Sequence, residues 1–463
     1  MDILREDLGY IFRIKAYLQK RPKLLYALLL LFGIWAAYYI VSPWYYLSPD
    51  QISAMSYRAG VLNLYIQQIL AGGLPQIAAL KDHNPAFYLY ASYLGAVCEK
   101  TEAMQIFLFL QLGAAAFVLL LYPTLIYKLT NTILPAFASP FLLKIFVGWS
   151  LYEFKNDTYW SMAWIVVIGL PLIGIFWREE QGWAKWAAFM GVCLCMGLGN
   201  LPRMHSSIGI LLLLLAGLIK EYIIPLKKTR NRKAVFQACS LLILTLLSYT
   251  LFTGLIPKAY LTVTGQEGKI ADFGPWHTIY AGLGWEENEY GFRFNDEYVD
   301  GQAKKIDPSV VYCSPEYMDI LRDEWFRLWR EDTEYMLGTY YRKFKACLDL
   351  SIPSEYGYYN LKFVISIFLL SACILRYVFK RKKILVSWRQ MLFAAFFCCL
   401  FSLVFPMMAN QHIKYRVGFV TACGMLFVFG SLSIMQSMVG VVEDFCKKPT
   451  CFCGTHNESQ NQS

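Results

Sequence analysis

The histidines, acids and arginines of the chain concentrate on one side once its apolar segments are threaded through a bilayer. Four of the five histidines fall on that side, namely His83, His205, His277 and His412. The same side carries Asp50, Asp82, Arg203, Lys414 and Arg416. Carboxylates and imidazoles can exchange protons, and arginine binds phosphate through paired hydrogen bonds. This asymmetry predicts an active site at one surface of a polytopic membrane protein.

The composition requires helices that cross a membrane. Hydrophobic residues make up 57% of the 463 residues and charged residues only 16%, with a mean hydropathy of +0.39, which is too apolar for a soluble enzyme of this length. A bilayer core of roughly 30 Å needs about 20 apolar residues per helix, and about ten segments meet this requirement. They lie near 24–42, 104–126, 133–152, 159–177, 183–199, 207–224, 235–257, 362–379, 388–408 and 417–437. The predicted fold class is an all-α integral membrane protein with about ten transmembrane helices and external juxtamembrane helices.

Basic residues predict the orientation, because Lys and Arg on short loops stay cytoplasmic. They cluster at the N-terminus, in the loop after the sixth segment and in the loop after the eighth. These clusters share one side if there are ten segments, so both termini are expected in the cytoplasm. The net charge of +10 is then explained by topology and by attraction to membrane lipids, and no nucleic-acid partner is expected. The first segment lacks a small-residue cleavage site and is expected to be retained.

This topology divides the chain into four parts. They are an N-terminal transmembrane module (1–257) with a first external loop (43–103), a mostly helical external region (258–361), C-terminal transmembrane helices (362–440) and a cytoplasmic tail (441–463). External loops of this length are uncommon without a function. The spacing of Cys313 and Cys347 within the second external region leaves open whether they pair.

Helical patterns recur within both external regions. Apolar residues at helical spacing in the first loop predict a helix that ends near Gly72. A Ser-Pro-Glu sequence that begins at Ser314 predicts a helix start in the second region. A further helix there has Arg342, Lys343 and Lys345 on its polar faces, and we expect it to lie on lipid headgroups.

Short motifs on the predicted external side extend along most of the chain. They are Asp50 in Leu47-Ser48-Pro49-Asp50-Gln51, Asp82-His83-Asn84-Pro85, Arg203-Met204-His205 followed by Gly209, Trp276-His277, and Lys414-Tyr415-Arg416. With these motifs the chain resembles the GT-C superfamily of membrane glycosyltransferases, including its protein mannosyltransferase and aminoarabinose transferase branches. The resemblance implies an enzyme of the bacterial plasma membrane.

The reaction that the resemblance implies is transfer of a sugar from a polyprenyl-phosphate carrier to a glycan, lipid or protein acceptor, with inversion at the anomeric carbon. Asp50 is then expected to be the general base, with Asp82 as the alternative or as a residue that positions the acceptor. Many members have an Asp-Glu pair where this chain has Asp50-Gln51, so base catalysis is favoured over metal binding at Asp50. A divalent metal is compatible with the family, but no metal ligands are assigned.

The resemblance also implies which residues bind the substrates. Arg203 and Arg416 are expected to hold the lipid phosphate, whose negative charge grows as the glycosidic bond breaks. His205 and Lys414 are expected to assist them. His83 and His277 are further candidates for substrate binding.

Each of these candidates also has a purely structural interpretation. Asp50 suits the N-cap of the first-loop helix, a role that does not exclude catalysis. Arg203 and Arg416 could snorkel at the ends of membrane helices. His83 could lie at the membrane interface, and His277 could shape the glycine-rich turn that follows it.

Two other functions share this sequence pattern. An O-antigen polymerase or ligase would also have about ten segments and a large late external loop, but its donor is an oligosaccharide on a lipid diphosphate. The early acid Asp50 and the long first loop favour the monosaccharide donor. A transporter or flippase should show repeated halves or polar residues at mid-membrane, and the sequence has neither pattern.

Overall fold

The computed structural model describes residues 16–45, 56–77, 85–99, 102–154, 163–178, 182–203, 205–225, 232–266, 275–349, 351–354, 357–379, 386–409 and 417–447. Five candidate site residues lie outside these ranges, namely Asp50, Asp82, His83, Lys414 and Arg416. Apart from one β-hairpin, the regular structure of the described residues is helical. The predominantly α-helical fold class is therefore confirmed.

The helices before the second external region follow the apolar pattern of the sequence. They are α1 (Pro22–Tyr45), α2 (Ser56–Leu70), α3 (Pro85–Val97), α4 (Ala103–Thr130), α5 (Ile133–Phe154), α6 (Ile165–Arg178), α7 (Trp183–Gly199), α8 (Ile208–Leu218), α9 (Arg232–Thr250) and α10 (Ile256–Thr264). A π-helical turn, Ile219–Ile223, extends α8, and another, Leu251–Leu255, joins α9 to α10.

The remaining elements comprise the external region and the C-terminal helices. They are α11 (Pro275–Ala281), α12 (Asp296–Ile306), α13 (Pro315–Glu331), α14 (Thr333–Leu348), β1 (Ser351–Ser354), β2 (Gly357–Asn360), α15 (Leu361–Phe379), α16 (Val386–Ser402), α17 (Val404–Met408) and α18 (Val417–Lys447). The described residues of the predicted membrane segments lie almost entirely on these helices and on the π-helical turns that extend them.

Five helices in the described part of the chain are long and apolar enough to cross a membrane. They are Pro22–Trp44, Gln105–Thr130, Arg232–Thr264, Gln390–Met408 and Val417–Gly440. Large apolar side chains such as Leu31 and Tyr38 project from the surface of α1, as expected where a helix faces lipid. These helices are those of a multi-pass membrane protein.

The last helix, α18, lies at the centre of the helical packing. It packs against α5, α15 and α16, and its residues Val428, Phe429 and Leu432 are fully buried. By contrast, only 17% of the apolar stretch in Arg232–Thr264 is buried, so that helix is peripheral. The middle of α18 is therefore held by neighbours on several sides.

The first external loop contains the helix that its periodicity predicts. Helix α2 ends at Leu70, and the chain turns at Gly72, whose φ of 80° is a conformation that favours glycine. Leu62 and Ile66 of α2 are fully buried in a cluster with Phe87 of α3 and Phe107 of α4. We call this group the first-loop cluster, and it fixes α2 and α3 against the membrane helices.

Helices α11 to α14 pack together as a unit, which we call the late-loop domain (275–348). Val299, Tyr317 and Met336 are fully buried in its core. Ser314 caps α13 as predicted, because its hydroxyl accepts a hydrogen bond of 3.2 Å from the backbone N–H of Tyr317. This domain stands between α10 and α15, where the sequence placed a mostly helical external region.

Two features of this region add to the sequence prediction. The strands β1 and β2 form an antiparallel hairpin in which Ser351 pairs with Asn360 and Ser354 with Gly357. No strand was expected here, because the segment is too short to show alternation. Cys313 and Cys347 are both free thiols, so they form no disulfide with each other.

The contact between α1 and α4 depends on a glycine. A Cβ atom at Gly33 would collide with the backbone carbonyl of Leu120, which cannot move without shifting α4. Gly33→Ala is therefore expected to lower the free energy of unfolding by about 1–3 kcal/mol. The midpoint of thermal unfolding in detergent measures this change.

Gly113→Ala is the matched control, since Gly113 lies on α4 with open space at its Cβ position. Alanine stabilises a helix relative to glycine by about 1 kcal/mol, so this variant should be as stable as the wild type or more so. Equal stability of Gly33→Ala and the wild type would contradict the close packing of α1 on α4.

Candidate functional site

The turn between α7 and α8 is built from buried polar residues. We call it the 200–207 turn; Met204 lies outside the described residues. The side-chain oxygen of Asn200 accepts hydrogen bonds from the Ser207 backbone N–H at 3.0 Å and from the Ser207 hydroxyl at 2.9 Å. The Ser206 N–H donates to the Arg203 carbonyl at 3.0 Å. These bonds close the turn within the protein and leave little freedom in its backbone.

Arg203 of this turn is buried, with 4% of its surface exposed. A snorkelling arginine keeps its guanidinium at the surface, and Arg203 does not. Burying a guanidinium costs several kcal/mol unless oppositely charged or hydrogen-bonding groups surround it. The turn therefore places a desolvated positive charge inside the protein.

His205 lies next to Arg203 in the turn and is also buried. Its ring stacks on that of Phe405 in α17, with ring centres 3.7 Å apart and planes within 6° of parallel. This contact holds the plane of the imidazole parallel to the phenyl ring.

The 200–207 turn contacts the start of α18 directly. A Cβ atom at Gly418 would lie 2.7 Å from the carbonyl oxygen of His205 and 2.9 Å from that of Ser206. Val417, the first residue of α18, is fully buried. Because Arg416 is covalently bonded to Val417, the chain that carries Lys414 and Arg416 enters α18 at the turn.

The turn also contacts the first external loop. Leu201 belongs to the first-loop cluster, together with residues of α2 and α3. Asp82, which precedes α3, lies outside the described residues, but both of its flanking segments are fixed. Pro75 accepts hydrogen bonds through its carbonyl from Tyr260 at 3.1 Å and Gln266 at 2.8 Å. On the other flank, the Tyr90 hydroxyl donates to the Phe252 carbonyl at 3.2 Å.

A second buried cation joins the late-loop domain to the membrane helices. Lys343 of α14 is fully buried, and its ammonium donates to the carbonyl of Ala409, just after α17, at 2.8 Å. Gly282 lies against the same carbonyl, where a Cβ atom would collide. Burial lowers the pKa of Lys343 to about 7. The sequence predicts that Lys343 lies on the polar face of a helix that rests on lipid headgroups. This prediction is wrong, because Lys343 is buried within the protein.

His277 lies in the core of the late-loop domain. One ring nitrogen is 2.8 Å from the Tyr317 hydroxyl and the other is 3.1 Å from a carboxylate oxygen of Asp296. Only 3% of its surface is exposed. Both nitrogens therefore link α11 to α12 and α13, as expected of a residue that shapes this domain.

The structure thus brings Arg203 and His205 together and places His277 in a separate core. Sequence reasoning missed Phe405 and Lys343, since each depends on a tertiary partner that no motif encodes. Among the described residues, no three His, Cys, Asp or Glu side chains are grouped to hold a metal ion. The candidate general base Asp50 and its alternative Asp82 lie outside those residues.

Comparisons with protein-family models, with curated proteins and with solved structures give no match for this chain.

The contact between α18 and the 200–207 turn can be tested through Gly418. Gly418→Ala should push α18 away from the turn and destabilise the contact by about 1–3 kcal/mol, which corresponds to roughly 5- to 150-fold faster amide exchange. Hydrogen–deuterium exchange of peptides that cover residues 196–210 measures this effect.

Gly440→Ala is the control, because it lies on the same helix with no atom near its Cβ position. Exchange in residues 196–210 should be unchanged in that variant. If both variants behave alike, the turn does not depend on the close approach of α18.

Proposed function

We propose that the chain is a GT-C-like glycosyltransferase that moves a sugar from a polyprenyl-phosphate carrier to an acceptor at the external face of the membrane, with inversion. The observation that carries this proposal is the buried guanidinium of Arg203 in a turn that contacts both the first-loop cluster and the start of α18. The turn carries one motif of the family resemblance, and the first loop and the segment that enters α18 carry three of the others.

The chemistry needs a positive charge that is shielded from water. As the glycosidic bond breaks, the lipid phosphate leaves with increasing negative charge, and a fixed cation in a dry environment stabilises that charge more than one in water. Arg203 is desolvated and its backbone is held by the closed turn. In this proposal Arg203 and His205 bind the phosphate together with Lys414 and Arg416, which precede α18 in the sequence.

The other half of the reaction is proton removal from the acceptor. Asp50 is proposed as the base, with Asp82 as its alternative or as the residue that positions the acceptor. Helix α2 begins six residues after Asp50, and α3 begins three residues after Asp82. Both helices belong to the first-loop cluster, which also holds Leu201 of the turn. The helices that follow the two acids in the chain therefore share one packed cluster with the turn that holds Arg203.

The proposal includes a topology. About ten of the helices cross the membrane, both termini face the cytoplasm, and the 200–207 turn and the late-loop domain lie outside. The membrane is the plasma membrane of a bacterium, as the family resemblance implies. His83, in the first loop, and His277, in the late-loop domain, are two further candidates for substrate binding. The contacts of His277 favour a role in shaping that domain.

The test is complementation of a deletion strain with wild type or Arg203→Gln at matched protein levels. Mass spectrometry of surface glycans and lipid-linked sugars should show that the wild type restores one sugar. In the variant that sugar should fall by about 10²-fold, the loss typical when one charge-stabilising donor is removed, and the monosaccharide-lipid donor should accumulate.

Arg330→Gln is the matched control, since Arg330 is exposed on the late-loop domain. This variant should restore the sugar fully. Arg203→Lys keeps the positive charge and lacks only the paired hydrogen bonds that a guanidinium forms with phosphate. This variant therefore distinguishes the loss of those hydrogen bonds from misfolding. Full restoration by Arg203→Gln would contradict the phosphate role. Accumulation of whole oligosaccharide repeats on a lipid diphosphate would instead assign the chain to the polymerase or ligase class.

A further inference from the structure

Lys343 is the most deeply buried cation among the described residues, and neither the sequence motifs nor the proposed reaction uses it. It lies where the late-loop domain contacts the end of the membrane helix Gln390–Met408. A charged lysine in such a place is costly, because its ammonium loses its water shell. Its ammonium donates a hydrogen bond to the Ala409 carbonyl, at 2.8 Å.

The contact around Ala409 is close on both sides. Gly282, in the 3₁₀ turn that follows α11, lies against the carbonyls of Met408 and Ala409, and a Cβ atom would come within 2.7 Å of the Met408 oxygen. Lys343 holds the Ala409 carbonyl from α14. The backbone at Ala409 is thus enclosed by two elements of the late-loop domain.

The charged groups that face Lys343 are few. Glu286, in the turn after α11, favours its charged form, as does Cys347 on its own helix. Arg342 forms an ion pair with Glu286, and Tyr340 lies with its ring centre 5.3 Å from the ammonium. Helix α17 contributes no titratable side chain.

We infer that Lys343 is a positioning residue: by holding the Ala409 carbonyl, it fixes the point at which the chain leaves α17 toward the segment that carries Lys414 and Arg416. The inference rests on the proposed function only for what that segment binds.

The sign of the pH dependence follows from linkage. The closed contact lowers the pKa of Lys343 to about 7, from an ordinary value of 10.5. An open contact returns the lysine to water, so the open state binds the proton more tightly. Closing therefore becomes more favourable as the pH rises from about 7 toward 10.5, and this gain is lost as the pH falls through 7. Below that pH both states carry the proton and the dependence disappears.

Hydrogen–deuterium exchange of the full chain in lipid nanodiscs tests the inference without donor or acceptor. Protection of the amides in residues 403–409, corrected for the intrinsic rate at each pH, should rise by up to roughly tenfold per pH unit above about pH 7. Lys343→Met and Lys343→Arg should both abolish this rise, because neither side chain releases a proton in that range. Lys345→Met, an exposed neighbour on the same helix, should keep it.

A pH-dependent rise that persists in Lys343→Met would overturn the inference. A pH-dependent rise in protection of equal size in peptides across the whole chain would also overturn it, since Lys343 would then have a general structural role and not a local one. Because no sugar transfer is measured, failure here leaves the glycan assay of the proposed function unaffected, and failure of that assay leaves this contact intact.

Discussion

Desolvation of positive charge is the constraint on which the site depends. Arg203 has 4% of its surface exposed and Lys343 has none, in a chain whose other described basic residues are largely at the surface. Each buried cation costs several kcal/mol unless oxygen atoms or anions lie against it. Lys343 meets this requirement with the carbonyl of Ala409. In the proposed enzyme the guanidinium of Arg203 loses its water shell when the protein folds, before the donor binds. A lipid phosphate would then add a negative charge beside Arg203 without a further desolvation cost for the arginine.

Close backbone contacts keep these cations in place. Glycine occurs where two backbones approach: Gly418 lies against the 200–207 turn, Gly209 against α16, and Gly282 against Ala409. A side chain at any of these positions would separate the two elements that meet there. Small residues at helix contacts are common in membrane proteins, since packing rather than the hydrophobic effect drives association within lipid. The three contacts join the last helix to the 200–207 turn, α8 to α16, and the late-loop domain to the end of α17.

Much of this fold could be predicted from the sequence, because long apolar segments and capping residues act locally. The described residues of the predicted membrane segments lie almost entirely on helices, Ser314 caps α13, and the first-loop helix ends before Gly72. The motif of Arg203 and His205 lies in a turn between two helices, as the sequence indicates, but the sequence does not predict that this turn is buried. Burial of Lys343 and stacking of His205 on Phe405 could not be predicted, since each joins residues far apart in sequence. The periodicity of α14 shows which residues share a face, but not whether that face meets lipid or protein.

The account depends most on the claim that Arg203 binds the phosphate of a polyprenyl carrier. Native mass spectrometry of the protein in detergent, titrated with a polyprenyl monophosphate that bears no sugar, measures this binding directly. The account predicts that Arg203→Gln weakens binding by at least roughly tenfold, the loss expected when one charge-assisted hydrogen-bonding group is removed, whereas Arg330→Gln binds like the wild type. Equal binding by all three proteins would contradict the account, because the buried guanidinium would then serve the fold alone.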